Sequence, residues 1–280
     1  MKIALLFLVV NDVKFPEIWE YYFKDNYDKI NIYCHVKNPE NIKSEWLKKN
    51  IIKDLVPTKW GYLTKAMINL MKAALNDKDN LKFILVSDSC LPIKKFSELY
   101  NFLSKDDKRV SYINFLKMNY WNINNSNLPE NYFKGIKLIK HSQWFCLSRH
   151  HIKKLLIDKN LHLFDKVLAG DEHILSLIAD SDNIKNFMMT FVNWKFSENI
   201  IEDINTKLRF YYHKKETSNK DIYDNKIYKL RKNKSIVGKH PKEYNILTNE
   251  ELNEINNTES FFFRKFGSES DIIKYYKRFI

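Results

Sequence analysis

Two stretches of this chain place polar side chains that can do chemistry among apolar residues. One is His141 to Arg149, which reads HSQWFCLSR, and the other is Asp171-Glu172-His173. A carboxylate in the second stretch can cap a helix, where the helix dipole favours it. It can also act as a general base, if a hydroxyl group lies within hydrogen-bond reach. The residues alone leave both interpretations of Glu172 open.

Aromatic residues raise a similar alternative. Ser142 and Gln143 precede Trp144, and this segment leads into an apolar run. An indole face can stack on the C–H face of a sugar, but a tryptophan in such a run is also typical of a hydrophobic core. The same two interpretations apply to Trp60 and Trp194.

Arg264 and Lys265 interrupt an aromatic run, FFFRKF. In a strand, alternation turns one of the two side chains toward solvent, which is the simpler explanation. The alternative is a pair of cations that neutralises a diphosphate leaving group, as an enzyme working without a metal ion requires.

Carboxylate pairs that could hold a divalent cation occur at Asp77-Lys78-Asp79 and Asp180-Ser181-Asp182. Hard cations prefer such oxygen ligands. Both pairs precede strands in polar surroundings, which favours turn chemistry. The segment Ser87-Asp88-Ser89 follows a buried strand but offers a single carboxylate, and the adjacent His150 and His151 point in different directions. We therefore predict no metal site.

Strands and helices alternate through the first half of the chain. We predict strands over 3–10, 30–35, 83–86 and 110–113, with helices over 16–23, 64–75 and 96–103. This alternation predicts an α/β fold with a mostly parallel central sheet flanked by helices. Ligands bind beyond the carboxyl ends of such strands, which points to Asn11-Asp12, to His35 and to Asp88.

The second half is predicted less completely. We expect a loop or lid over 117–134, helices over 152–156 and 171–178, and a strand over 187–194. A helix over 250–255, a strand over 261–266 and a helix over 270–279 follow. Residues 197–234 receive no assignment, and the chain is expected to form a single domain over 1–280.

Composition limits the function classes. Of the 280 residues, 44% are hydrophobic, which is enough for a sizeable core, and the net charge is +13. The charge is spread along the chain and is densest over 229–242, which favours a solvated surface over a nucleic-acid site.

Three cysteines fit no zinc motif and indicate reduced thiols in a cytoplasmic protein. The apolar start is too short to cross a bilayer and predicts a buried strand.

Taken in order, these motifs resemble the core-2/I-branching β-1,6-N-acetylglucosaminyltransferases and their plant relatives, glycosyltransferase family 14. The resemblance extends over most of the chain. The segments that carry it are 2–10 with Pro16 and Trp19, 32–36, Lys59-Trp60-Gly61, 85–92, 142–149, Asp171-Glu172-His173, Val192-Asn193-Trp194, His240-Pro241, 248–252 and Phe263-Arg264-Lys265-Phe266.

The resemblance implies a GT-A-like fold and transfer from a UDP-sugar, with inversion at the anomeric carbon and without a metal ion or other cofactor. N-acetylglucosamine is the family's commonest sugar, and the acceptor is a glycan or glycoprotein. It implies Glu172 as the catalytic base and Lys265, with Arg264 beside it, as the diphosphate ligand. Trp60, Asn11, His35 and Asp88 then bind the nucleotide sugar. The sugar and acceptor side comprises Ser142, Gln143, Trp144, Asp171 and Trp194.

The chain also departs from the family pattern. Lys37 stands where animal members often carry aspartate, and the membrane anchor and disulfides of those members are not recognised in this sequence. Arg231 is the nearest match to a second family arginine. The alternative function is a catalytically inactive protein that binds a nucleotide sugar or glycan on the same fold. A nucleic-acid-binding protein is a third interpretation, based on charge alone.

Overall fold

The computed structural model describes residues 1–115, 132–194 and 241–280. Its contacts group into two compact units, residues 1–191 together with 245–280, and residues 192–244. The single domain over 1–280 stays a prediction. Most of the predicted lid over 117–134 lies outside the described residues, as do all of 197–234 and Arg231.

A six-stranded sheet forms the centre of the larger unit. Its strands are β1 (Lys2–Val9), β2 (Ile30–Val36), β3 (Asn80–Ser87), β5 (Ser111–Ile113), β6 (Cys146–Ser148) and β7 (Ile184–Asn186), in the order β2-β1-β3-β6-β5-β7. β1 runs parallel to β2 and β3, and β5 runs parallel to β7. Among the strands of the described residues, β6 alone is antiparallel to its neighbours in this sheet. The expected α/β class with a mostly parallel sheet is confirmed.

Helices cover the sheet and contribute its apolar core. They are α1 (Pro16–Phe23), α2 (Glu45–Lys49), α3 (Thr64–Leu75), α4 (Phe96–Lys105), α5 (Arg149–Leu156) and α6 (Asn249–Asn257). α3 packs on β1, β2 and β3. The central strand β1 is buried on both faces, as an inner strand of a helix-covered parallel sheet should be.

A smaller sheet joins β4 (Leu91–Pro92), β9 (Phe262–Arg264) and β8 (Thr190–Val192) in the order β4-β9-β8. β4 pairs antiparallel with β9. Because β4 follows directly after the turn at the end of β3, this pairing brings Arg264 to the carboxyl end of β3. The small sheet therefore connects two distant sequence segments singled out above.

Two predicted helices are wrong. Residues 171–178 form two short 3-10 turns, Gly170–Glu172 and Ile174–Leu177, since His173 between them has a non-helical φ of −129°. Residues 270–279 likewise form the turns Asp271–Lys274 and Tyr276–Arg278, which are separated by Tyr275 at φ −117°.

Other boundaries differ by a few residues. α5 begins three residues earlier than predicted, because the Ser148 side chain accepts a hydrogen bond from the backbone N–H of His151 and caps the helix. The strand predicted over 187–194 is confined to β8, and β7 precedes it as a separate strand. The strand predicted over 261–266 is confined to β9.

The three cysteines, Cys34, Cys90 and Cys146, are buried free thiols. None of the helices in the described ranges has the length and apolar character needed to cross a membrane.

Candidate functional site

The loops at the carboxyl ends of β1 and β3 lie against each other, as the sheet topology requires. The backbone N–H of Val10 donates to Asp88 Oδ2 at 3.4 Å, and that of Lys14 donates to the Asp88 carbonyl at 3.0 Å. Asn11 Oδ1 accepts a hydrogen bond from Asn38 Nδ2 at 2.8 Å, which links this loop to the residues after β2. Asn11 and Asp88 are therefore brought to one edge of the sheet.

Asp12 fixes the same edge. Its carboxylate accepts hydrogen bonds from the backbone N–H groups of Lys43 and Ser44 and from the Ser44 hydroxyl, the last at 2.7 Å. Burial raises the pKa of this carboxyl, but these hydrogen bonds outweigh it, so that the net pKa of Asp12 is lowered. The ionised Asp12 thus holds the loop before α2 against the end of β1.

His35 is more deeply placed than its sequence position suggests. Only 1% of the residue is exposed, and its Nε2 accepts a hydrogen bond from the backbone N–H of Val56 at 3.0 Å. Burial lowers the pKa of the imidazole, which agrees with a neutral ring. The ring therefore supports the backbone near the strand end, and its contact with a nucleotide sugar stays a prediction.

Arg264 is held at the end of β3 by three groups. Its Nη1 donates to the hydroxyl oxygens of Ser87 and Ser89, and the second of these bonds measures 2.8 Å. The guanidinium carbon lies 4.6 Å from the centroid of the Trp144 ring, a cation–π contact. Trp144 is 6% exposed. The predicted cation and the predicted aromatic residue therefore belong to one cluster.

A third cation, Lys14, lies near Arg264 and Lys265. The sequence did not single out this lysine. Lys14 Nζ donates to the Phe266 carbonyl at 2.9 Å, and the backbone N–H of Phe266 donates to the Ser89 carbonyl at 3.2 Å. The position of Lys14, just after β1, was the available signal. Positive charge from two distant segments thus converges on the turn after β3.

The candidate base Glu172 forms an ion pair with Lys140. The distance between Lys140 Nζ and Glu172 Oε2 is 2.6 Å, and the two side chains are 12% and 26% exposed. Lys140 was not among the predicted site residues. Glu172 ends a 3-10 turn and keeps part of its side chain accessible, so it does not cap a long helix and can meet a substrate.

Several hydrogen bonds fasten the Lys140 segment to the Glu172 segment. The backbone N–H of His141 donates to the Glu172 carbonyl at 2.9 Å. The N–H of Leu175 donates to His141 Nε2 at 3.2 Å, and His173 Nδ1 bonds to the Ile139 carbonyl at 2.8 Å. Burial lowers the pKa of His141 to about 3, as expected for a neutral ring that accepts a hydrogen bond. The backbone around the candidate base is therefore held on both sides.

Asp171 lies behind Glu172, in the protein interior. It is 4% exposed, and in the described part of the chain its Oδ1 has no hydrogen-bond partner. Burial, followed by the neighbouring Glu172 charge, raises the pKa of Asp171 to about 7. Direct contact between Asp171 and an acceptor stays a prediction.

The turn that carries Trp60 is bonded to the segment that carries Glu172. The N–H of Ala169 donates to the Gly61 carbonyl at 2.6 Å, and the N–H of Glu172 donates to the Ala169 carbonyl at 2.9 Å. Gly61 has φ +77°, a conformation that favours glycine. Trp60 is 75% exposed, so a large aromatic face is available to a ligand near Glu172.

Residues 140–144 connect the two clusters. Lys140 contacts Glu172 at one end, and Trp144 contacts Arg264 at the other. The Cα atoms of residues 140 and 144 are at most about 14 Å apart, so the contacts to the candidate base and to the cation start from one short segment of the chain. Between them, Ser142 Oγ accepts from the Trp144 N–H at 3.3 Å, and Gln143 places its Nε2 in the interior. Sugar contacts of Ser142 and Gln143 stay predictions.

Trp194 lies in the unit of residues 192–244 and is 38% exposed. Asp77 Oδ1 accepts a hydrogen bond from the backbone N–H of Asp79 at 2.8 Å, which confirms turn chemistry there.

Across residues 1–115, 132–194 and 241–280, no group of three or more His, Cys, Asp or Glu side chains is arranged to hold a metal ion.

Comparison with known proteins is consistent with the sequence motifs. The family model of the core-2/I-branching enzymes matches residues 3–256. The glycosyltransferase BC10 of Oryza sativa subsp. japonica is 26% identical over 171 residues, which cover 57% of this chain and 41% of that protein. The chain thus matches about two fifths of this relative's length.

Two solved structures show weaker likeness. A197 from STIV aligns with a TM-score of 0.33 and 12% identity, covering 66% of this chain and 80% of that one. The galactosyltransferase LgtC, solved with donor and acceptor sugar analogs, aligns with a TM-score of 0.35 and 10% identity, covering 69% of this chain and 74% of that one.

The family assignment of this chain rests on the family model, which spans most of the chain. The chain belongs to the core-2/I-branching enzyme family.

Proposed function

We propose that this protein is a metal-independent, inverting glycosyltransferase that moves a sugar from a UDP-sugar to a hydroxyl group of a glycan acceptor. N-acetylglucosamine is the proposed sugar and the cytoplasm the proposed location. The observation that carries the proposal is the arrangement of Glu172 at one end of residues 140–144 and of Arg264 at the other.

The two ends of this arrangement supply the two needs of a direct displacement. Glu172 takes the proton of the acceptor hydroxyl as the hydroxyl oxygen bonds to the anomeric carbon of the sugar. The bond from that carbon to the diphosphate breaks, and UDP leaves with the electron pair. Arg264 and Lys265, with Lys14 nearby, stabilise the negative charge that develops on the diphosphate.

Aromatic residues suit the remaining parts of such a donor. The exposed ring of Trp60 offers a flat surface beside the Glu172 turn. Trp144 contacts the Arg264 guanidinium and lies four residues after Lys140, the ion-pair partner of Glu172. The loops after β1 and β3, which carry Asn11 and Asp88, complete the edge of the sheet where the nucleotide is proposed to bind.

Transfer assays in the presence of EDTA test this proposal. The purified protein is incubated with a panel of UDP-sugars and glycan acceptors, and both UDP release and the glycosylated product are measured. We expect equal rates with EDTA and with added Mg²⁺ or Mn²⁺. Loss of transfer in EDTA would contradict the metal-free mechanism. Thermal stabilisation by a UDP-sugar with no transfer to any acceptor would favour the binding protein instead.

A further inference from the structure

The Lys140–Glu172 ion pair has the geometry of a strong interaction. Its 2.6 Å distance is that of a charge-assisted hydrogen bond, and both side chains are largely shielded from solvent, with 12% and 26% exposed. Attraction between opposite charges is stronger in such surroundings than at an open surface, because water screens them less. This pair therefore restricts the Glu172 side chain more than a surface ion pair would.

The pair also distinguishes the two carboxylate oxygens. Lys140 Nζ donates to Oε2, and the Glu172 backbone is fixed separately by its bonds to Ala169 and His141. With the main chain fixed and Oε2 engaged, Oε1 is the oxygen that remains to meet an acceptor hydroxyl.

We propose that Lys140 is a positioning residue, which binds Oε2 of Glu172 and thereby presents Oε1 as the atom that receives the acceptor proton. This rests on the proposed function of Glu172 as the base. In the step, the proton passes from the acceptor hydroxyl to Oε1 while the hydroxyl oxygen bonds to the sugar and the diphosphate departs. Lys140 keeps its own proton throughout and touches neither substrate.

The other groups around Glu172 cannot take this role. Asp171 is buried behind it and carries the same kind of group, and His141 and His173 direct ring nitrogens to backbone groups of Leu175 and Ile139. Within the described residues, Lys140 is the cation that forms a salt bridge with Glu172.

The segment around Lys140 has hydrogen bonds that do not involve the Lys140 ammonium group. The backbone bonds from His141 to Glu172, and the bond from the Ile139 N–H to Ser176 Oγ at 2.9 Å, hold the segment without it. Replacing Lys140 by methionine keeps the length and apolar stem of the side chain. It removes the charge and leaves those bonds in place, which makes the proposal testable in a folded protein.

The experiment compares Lys140→Met, Lys140→Gln and Lys140→Arg with wild type and with Lys137→Met, an exposed lysine on the same segment. For each, kcat and acceptor KM are measured, together with UDP affinity and the melting temperature. We expect both neutral variants to lose about 10- to 100-fold in kcat with UDP affinity unchanged. Arginine should restore most of the rate, and Lys137→Met should match wild type.

Wild-type kcat in Lys140→Met or Lys140→Gln would overturn the proposal. So would an arginine variant as slow as the neutral ones. A loss of UDP affinity in step with a lowered melting temperature would also overturn it, since that marks a structural role. A wild-type protein that transfers no sugar would instead contradict the proposed function, and the two failures are thereby distinguished.

Discussion

At the scale of single residues, the cations Arg264 and Lys265 at the end of β9 are the groups that bind the donor diphosphate in the proposed mechanism. Replacing Lys265 by alanine removes one charge from this cluster. A hydrogen bond to a charged group contributes about 1.5–3 kcal/mol, so we expect UDP to bind about 10- to 100-fold more weakly. Calorimetric titration measures this, with Lys277→Ala as a control for loss of an exposed lysine. Equal UDP affinity in Lys265→Ala and wild type would exclude Lys265 from the diphosphate site.

Residue types identified some members of the site and missed others. Arg264 stood out because a cation inside an aromatic run is unexpected, and the structure places it on Trp144 as part of one cluster. Lys140 and Lys14 did not stand out in a chain with 47 lysines and arginines. Their roles depend on which carboxylate or carbonyl lies opposite them, and only the tertiary structure determines that.

At the scale of elements, the 3-10 turn Gly170–Glu172 positions the candidate base. A Cβ atom on Gly170 would overlap the Phe164 carbonyl oxygen and lie 2.9 Å from Thr64 Oγ1. Gly170→Ala must therefore displace the turn, at a cost of about 1–3 kcal/mol. We expect a lower melting temperature and a lower kcat, measured by thermal unfolding and by transfer assay.

Gly135→Ala provides the control for this prediction. Its Cβ would meet nothing within 4 Å, although its φ of +81° is unfavourable for alanine. It should lose some stability and keep the wild-type kcat. A Gly170→Ala variant with wild-type kcat would show that the close packing of this turn does not matter for the base.

The sequence predicted the elements of the sheet better than this turn. The run Ile3–Val9 is continuously apolar, which is typical of a strand buried on both faces. Residues 171–178 have the apolar spacing of a helix, yet His173, whose ring bonds to the Ile139 carbonyl, has a non-helical φ. Periodicity cannot reveal such a bond, since the partner is far away in sequence.

At the scale of the whole molecule, buried histidines contribute to the pH dependence of stability. Burial lowers the pKa of His35, His141, His151 and His173, so the unfolded chain binds more protons than the folded one below about pH 6.5. The free energy of unfolding should therefore fall as pH decreases from 6.5 toward 5. Thermal unfolding between pH 5 and pH 8 measures it, and a melting temperature that rises over this fall in pH would contradict the expectation.

Asp171 changes the free energy of unfolding with pH in the opposite direction to the histidines. Its pKa is raised from 3.8 to about 7 by burial and then by Glu172, so the folded state holds a proton that the unfolded state loses between these values. This contribution to stability is present below about pH 4 and is lost as pH rises to 7. Asp171→Asn should therefore lose stability more steeply on acidification than wild type. An equal pH dependence in both proteins would contradict a raised pKa at Asp171.

The substitution Glu172→Gln tests the central claim most directly, because it keeps the shape of the side chain and removes the base. Transfer and UDP binding are measured on the same preparation, beside wild type. We expect the affinity for UDP to be unchanged and kcat to fall about 100-fold or more. A Glu172→Gln variant that binds UDP and transfers sugar at the wild-type rate would contradict the role of Glu172 as the catalytic base.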